Sequence, residues 1–338
     1  MTISENKDLL HLNTFGISAR AQHFAPIHDL PELKELILQE HPTETSLLVL
    51  GGGSNVLFTK DFDGWVLHNG IKGIEIIEDN AETVLLRAGG GENWSNFVDF
   101  AVENGWWGLE NLSLIPGTVG AAPVQNIGAY GTEQKERFIS LEACNLKTGE
   151  VRTFVKDDCA FGYRSSIFKT EEKGNWFVVN VTYHLQKKPH RILNYAPLKA
   201  AFENTPLSKL SASEISNKVK EIRNSKLPDP RKIGNAGSFF KNPVISKSQF
   251  QQLENQYPNI PSYPQDDGTL KVPAGWLIEQ CGWKGKKVGN TGVHNLQALV
   301  LVNHGNATGT EIQQLALQIQ SDVHNRFNIH IEPEVLIL

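Results

Sequence analysis

Arg164 stands in an otherwise apolar and aromatic run, Phe161-Gly-Tyr-Arg-Ser-Ser-Ile-Phe168. A guanidinium so placed either stacks and pairs structurally or receives an anion. Ser238 follows a glycine in Gly234-Asn-Ala-Gly-Ser-Phe-Phe-Lys-Asn-Pro243. The segment is not a hydrolase elbow, because Ala236 and Phe240 occupy the places that Gly-x-Ser-x-Gly reserves for glycine. A lone loop serine is ordinarily a turn or cap residue. Glu332 and Glu334 alternate along a predicted strand, so both project to one face, where solvated carboxylates are the ordinary outcome.

Two glycine-rich segments suit a large ligand. Leu50-Gly-Gly-Gly-Ser-Asn-Val56 is a loop after a strand, and consecutive N–H groups there can turn toward a phosphate, or simply close a hairpin. It is not a dinucleotide fingerprint, since Val56 takes the third glycine position and no helix follows, and it lacks a P-loop lysine. The stretch from Ile115 to Gly131 is dense in small residues but keeps Thr118, Gln125 and Asn126 as hydrogen-bonding groups. Its backbone can lie flat against a planar cofactor, or it is a long interdomain loop.

The elements that must position these residues are readable in part. Ser46–Leu50 and Val56–Phe58 are strand-like. Trp94, Phe97, Val98, Ala101 and Val102 recur at helical spacing ahead of Gly105, which predicts an amphipathic helix over 92–104. Residues 141–185 read as strands. Ser211-Ala-Ser-Glu214 is a capping box for a helix ending near Leu227, and the domain boundary is expected between Leu207 and Pro230. A last helix over 311–327, capped by Thr308 or Thr310, precedes a strand over 329–338. Residues 255–268 read as a surface loop, and no internal repeat is present.

With 338 residues the chain has room for two domains. Lys and Arg number 32 against 37 Asp and Glu, a net charge of −5 without a basic block, which disfavours nucleic acid as a partner. Ala298–Val302 is the longest apolar run, far short of the roughly 20 residues of a membrane span. Residues 1–10 carry no signal-peptide pattern, so the cytoplasm is expected. Cys144, Cys159 and Cys281 form no Cys-x-x-Cys and read as packing residues, and no His pattern suggests a metal.

Taken together and in order, Leu50-Gly-Gly-Gly-Ser-Asn55, Ile115-Pro-Gly117 with Gln125-Asn-Ile-Gly-Ala-Tyr130, Gly162–Phe168, Ser225-Lys-Leu-Pro-Asp-Pro230, Gly234–Pro243 and Glu332-Pro-Glu-Val335 closely resemble the UDP-N-acetylenolpyruvoylglucosamine reductases of bacterial peptidoglycan synthesis. The resemblance runs from about Asn13 to the carboxyl end. It implies an α+β fold, with a two-lobed FAD-binding domain of the vanillyl-alcohol-oxidase type over 14–206 (lobes 14–68 and 69–206) and an α+β substrate domain over 207–338. It implies two half reactions: NADPH reduces FAD, and the flavin delivers hydride to C3 of the enolpyruvyl group of UDP-N-acetylglucosamine enolpyruvate, with protonation at C2.

By position, the resemblance makes Arg164, Ser238 and Glu334 catalytic: Arg164 steadies the enolate, Ser238 is the acid, and Glu334 organises the proton source or the enolic form. For FAD it implies Gly51, Gly52, Gly53, Ser54 and Asn55 at the diphosphate, with Ile115, Pro116, Gly117, Gly120, Ala121, Gln125, Asn126, Gly128 and Tyr130 along the ring and ribityl chain. For the nucleotide sugar it implies Tyr163, Lys226, Asn242, Lys284 and Gln297, with Tyr195 closing over the diphosphate in the subgroup that keeps this loop. Many relatives carry Arg where this chain has Leu336. A monomer is expected. The alternatives are a flavin oxidase or dehydrogenase of another small substrate, disfavoured by Tyr195, Lys226 and the Ser238 segment, and a non-catalytic flavin or UDP-sugar binder, disfavoured by the intact catalytic set.

Overall fold

In the computed structural model, which describes residues 2–338, the chain forms two compact units that alternate along the sequence. The first comprises Ala21–Gly53 and Phe62–Ser225 with the residues up to Lys7; the second comprises Asp8–Arg20, Ser54–Asp61 and Lys226–Leu338.

The first unit holds two sheets. One contains β1 (Ser4–Asp8), β2 (Arg20–Ile27), β3 (Ser46–Leu50) and β5 (Phe62–Asn69), in the order β1-β2-β5-β3; β4 (Val56–Leu57) belongs to the second unit. β2 and β3 both run parallel to β5. Parallel strands need a crossover, here α1 (Leu30–Glu40). Asp29 starts that helix by accepting the Glu32 N–H, and Leu33, Leu36 and Ile37 bury its inner face.

The other sheet is antiparallel, built from β6 (Ile74–Asp79), β7 (Thr83–Gly89), β10 (Phe138–Asn145), β11 (Val151–Val155) and β12 (Trp176–Gln186) in the order β11-β10-β12-β7-β6. Along the chain it is interrupted by α2 (Trp94–Glu103), α3 (Ala121–Val124) and the hairpin of β8 (Gly128–Ala129) with β9 (Thr132–Glu133). The predicted helix over 92–104 is α2: Asn93 caps it, its apolar stripe is buried, and Gly105 follows at φ +75°. Trp94 and Phe97 pack on Tyr183 of β12, whose hydroxyl donates to Gln134 at 3.1 Å.

Two further helices follow, α4 (Ala196–Ala201) and α5 (Ala212–Lys226). The capping box at Ser211 and Glu214 is formed. A cut at residue 207 would leave α5 with the substrate domain, but Ala212, Ile215 and Val219 join the core of α2 and the antiparallel sheet. The physical reason is that a helix in a boundary segment follows its apolar stripe, and this stripe matches the first unit's core.

The second unit gathers β4, β13 (Val244–Ile245), α6 (Lys247–Gln256), β14 (Tyr263–Pro264), β15 (Leu270–Lys271), α7 (Ala274–Gln280), β16 (Lys287–Val288), β17 (Thr291–Val293), β18 (Leu301–Asn303), α8 (Gly309–Phe327) and β19 (Leu336–Ile337) around one apolar core. Thr308, not Thr310, caps α8, in a reciprocal box with Glu311; the Thr310 hydroxyl donates instead to the Thr59 carbonyl. The strand expected over 329–338 shrinks to β19, which pairs in parallel with β4. Pro333 has no N–H to give a ladder, and only an isolated bridge to Phe240 precedes β19. Cys144 and Cys159 are buried and Cys281 half-buried, all three free, and burial pushes the Cys159 thiol up to about 12. No helix of the described residues is long and apolar enough to cross a membrane.

Candidate active site

The glycine loop leaves β3 and presses on the start of the Ile115–Tyr130 segment. A Cβ on Gly51 would lie 2.5 Å from Thr118 Oγ1, and one on Gly52 would lie 3.1 Å from Gly117 Cα. Gly120 is equally tight, its N–H donating to Gly90 O at 2.8 Å and its Cβ position 2.9 Å from Gly90 Cα. Three stretches of bare backbone therefore meet where side chains would keep them apart. Such bare backbone fits the close approach that an FAD diphosphate would need, and Gly51 to Gly53 are the residues that would hold it. Gly51 and Gly52 lie beyond the β3 ladder, which ends at Leu50, while Pro116 and Ala121 are exposed and Ile115 and Gln125 half-buried.

Asn126 is different from its neighbours. It is fully buried, sits at φ +44°, and spends its carboxamide on the protein: Nδ2 donates to Glu133 Oε2 at 3.1 Å and to Gly162 O at 3.0 Å, and Oδ1 accepts from Gln134 and Lys135. Its N–H donates to Pro123 O at 3.2 Å, so neither the carboxamide nor the backbone donor is left for a cofactor. Its bond to Gly162 ties the segment to the Arg164 turn. Arg164 itself takes φ +52° and donates from Nη2 to Gly128 O at 2.6 Å, with Tyr163 beneath its guanidinium at 5.5 Å. The structure thus brings Arg164, Tyr163, Asn126 and Gly128 together in the first unit.

Tyr130 and Tyr195 meet edge to face, ring centroids 5.2 Å apart. Tyr195 caps α4 and is exposed; Tyr130, at φ +50°, is half-buried. Burial raises the Tyr130 phenol above its ordinary range, and Arg223, hydrogen-bonded to it, draws it part of the way back. Two supports here carry no sequence signature. Arg223 is an ordinary cation on a helix until the fold buries its Nε, and Asn111, 2% exposed, is a lone amide in an apolar stretch. A polar residue among Leu109, Leu112 and Leu114 is the faint signal a reading of the sequence had available.

Ser238 and Glu334 lie in the second unit, on neighbouring strips of extended backbone. Glu334 N–H donates to Phe239 O at 2.7 Å, Lys241 N–H to Glu332 O at 2.9 Å, and Phe239 N–H to Leu299 O at 2.8 Å. Phe239 and Phe240 are buried and anchor the strip, which leaves Ser238 half-buried at its edge. Among the described residues its hydroxyl has no protein partner. Asn235, another residue the sequence did not single out, pins the turn: its Oδ1 accepts from Gly237 N at 2.9 Å and its Nδ2 donates to Ile233 O at 2.9 Å and Pro228 O at 3.2 Å.

The two carboxylates do not share one environment as the alternation suggests. The Glu332 side chain is 76% exposed beside Lys241, whereas Glu334 is half-buried. Asn55, at the end of the glycine loop, donates to Glu334 O at 3.0 Å, and its own carbonyl accepts from Leu336 N at 3.0 Å. Leu336 is thereby held in β19, opposite Val56 of β4.

Three of the six expected nucleotide-sugar residues group around one short helix. Asn242 Oδ1 accepts the N–H of Ala274, the first residue of α7; Gln297 Oε1 lies 3.3 Å from a Cβ position on Gly275; Lys284 pairs with Glu279 at 3.0 Å. Lys226 ends α5, exposed.

A family model described as the UDP-N-acetylenolpyruvoylglucosamine reductase C-terminal domain matches residues 229–338, and one described as an FAD binding domain matches 22–154. The protein of Flavobacterium johnsoniae named UDP-N-acetylenolpyruvoylglucosamine reductase is 48% identical over 339 residues, covering 100% of both chains. Its namesake from Pseudomonas putida is 45% identical and covers 98% of this chain and 97% of its own. The crystal structure of the Thermus caldophilus enzyme of that name shares the fold, with a TM-score of 0.68 at 22% identity over 99% of this chain and 98% of that one. The expected fold class, an FAD-binding domain followed by an α+β domain, holds. This chain belongs to the UDP-N-acetylenolpyruvoylglucosamine reductase family.

Proposed function

We propose that the chain reduces UDP-N-acetylglucosamine enolpyruvate to UDP-N-acetylmuramate with electrons from NADPH, and that Arg164, Ser238 and Glu334 carry the chemistry. The observation that carries the reading is the end-to-end likeness to the Flavobacterium johnsoniae reductase, 48% identical over the whole of both chains. When bound, FAD supplies the two-electron chemistry, taking electrons from NADPH and passing them to C3 of the enolpyruvyl group. The glycine loop and the Ile115–Tyr130 segment hold it.

The chain's own residues supply charge and a proton. Reduction at C3 leaves negative charge on the enolate, and a fixed cation lowers that barrier most when it need not reorganise. Arg164 is that cation, tethered through Gly128 O. Ser238 Oγ gives its proton to C2. A hydroxyl is a poor acid in water, but a carbanionic centre needs a donor in place more than an acidic one. Glu334, on the strip beside Ser238, organises the proton source or the enolic form. Lys226 and Lys284 pair with the diphosphate, Asn242, Gln297 and Tyr163 line the rest, and Tyr195 closes over it. We read the enzyme as a cytoplasmic monomer; its exposed large apolar side chains, such as Leu38, Leu207 and Leu296, are scattered along the chain.

The test is anaerobic NADPH oxidation by the FAD-loaded protein with and without the enolpyruvyl nucleotide. Sustained oxidation with that substrate alone is the expected result. A flavin reduced once and never reoxidised by the nucleotide would overturn the substrate assignment.

A further inference from the structure

The base of the Tyr195 segment has to be positioned before Tyr195 can close over the nucleotide sugar, and the residue placed to do so is Asn111. It sits in a turn locked on three sides: Glu110 accepts from Gly108 N at 2.6 Å, the Ser113 hydroxyl donates to Glu110 O at 2.7 Å, and Trp94 Nε1 donates to Leu112 O at 3.0 Å. From this mount Nδ2 donates to two carbonyls, Tyr130 O and Ile192 O, both at 2.8 Å. Tyr130 ends the flavin-facing segment, and Ile192 lies three residues before Tyr195.

Asn111 Oδ1 is buried with no donor. A carboxamide kept where its acceptor is wasted is kept for its donors, and both N–H groups are spent on joining these two strips of backbone. The same two strips also meet through the Tyr130 and Tyr195 rings, whose centroids lie 5.2 Å apart. Tyr130 has a left-handed backbone, and Gly131, also left-handed at φ +81°, makes only loose contact with the Tyr195 strip, a Cβ there lying 3.8 Å from Ile192 Cγ2 and Tyr195 Cβ.

We propose that Asn111 is a positioning residue for the nucleotide-sugar step, clamping the base of the Tyr195 segment to the flavin-facing loop so that the Tyr130 and Tyr195 rings stay in contact. The inference rests on the reading of Tyr195 as the residue that closes over substrate. In the FAD-loaded full chain, Asn111→Ala is expected to raise KM for the enolpyruvyl nucleotide about tenfold, the loss of roughly one to two hydrogen bonds. The rate at which NADPH reduces the flavin, read by stopped-flow absorbance, should stay within about twofold of the parent.

A double-mutant cycle separates a clamp from general loosening. Tyr195→Ala should itself raise KM, and in that background Asn111→Ala should add less than about twofold. If Tyr195→Ala leaves KM unchanged, the closing role of Tyr195 fails and the clamp with it. If Tyr195→Ala raises KM while Asn111→Ala does not, or the two effects multiply, only the clamp falls. Should Asn111→Ala lose FAD, Asn111→Leu keeps roughly the shape and removes the donors and is read the same way. Loss of FAD in both variants overturns the inference, because Asn111 then serves the fold alone.

Discussion

The two units set their candidate residues in place by opposite means. In the first unit, position comes from missing side chains: Gly51, Gly52 and Gly120 let backbones touch, and buried amides such as Asn126 and Asn111 fasten left-handed turns. In the second, position comes from large ones: Phe239 and Phe240 sink into the core, and a small hydroxyl is left at the edge of the strip they anchor. Backbone donors suit a cofactor held throughout turnover, since they do not change rotamer. A lone hydroxyl suits a single proton transfer, for which one oriented atom is enough.

The largest effect expected is on the hydroxyl. Ser238→Ala should lower kcat by about 10²–10⁴, the usual worth of a positioned acid, with flavin content and NADPH half-reaction intact. Full turnover would remove Ser238 from the chemistry and erase the contrast. Next is the glycine loop. Gly51→Ala forces a methyl against Thr118 Oγ1 and should cost about 1–3 kcal/mol with loss of FAD, measured as flavin per chain. Thr118→Ala in the same chain removes the obstacle and should restore part of the loss; no restoration would mean that the loop is not shaped by that contact.

Asn235→Ala probes whether the hydroxyl's strip needs a fastener of the first unit's kind. It leaves the Gly237 turn unpinned, at about 1–3 kcal/mol, and should lower kcat while FAD stays bound. A variant that melts early yet turns over normally would confine Asn235 to stability.

A pH profile sharpens the comparison further. Burial raises Glu110 above its ordinary 4.5, outweighing the Gly108 N–H and Arg137, which lower it. The native protein then keeps a proton that the unfolded chain has released, so stability is full below the unfolded value and falls as pH climbs through the folded one. Melting temperature should therefore drop over this range in the parent and less in Glu110→Gln; identical slopes would assign the fall elsewhere. The smallest effect is expected from Thr308→Ala, which breaks the α8 capping box at about 1 kcal/mol and should leave both cofactor and turnover alone.

Much of the scaffold is legible in the order of the residues. The α2 stripe with Gly105 behind it, the Ser211 box and the 311–327 periodicity all locate helices, because these signals act within a few residues of the chain. Where two local signals compete, tertiary contact chooses: Thr310 loses to Thr308 once its hydroxyl reaches the Thr59 carbonyl. Where a local signal meets a global need it gives way, as the final strand does at Pro333, and where it is met the fold still chooses the partner, as it does when the α5 stripe joins the first core. Among the site residues, the motif positions are readable and their fasteners are not. Asn111, Arg223 and Asn235 are ordinary polar residues in sequence, and nothing in their immediate neighbours tells which carbonyl or hydroxyl they will meet.

By itself, then, the sequence determined the family, the α+β class and the motif segments, since motif order, helical periodicity and caps are written in neighbouring residues. Only the tertiary structure decided that the Gly51 loop lies bare against Gly117 and Thr118, that Glu332 is solvated while Glu334 is half-buried, and that Asn111 joins Tyr130 to Ile192. The physical reason is range. A cap or a periodic stripe is satisfied within one or two turns, whereas a close approach or a buried amide is satisfied by a partner that only the fold brings within about 3 Å of it.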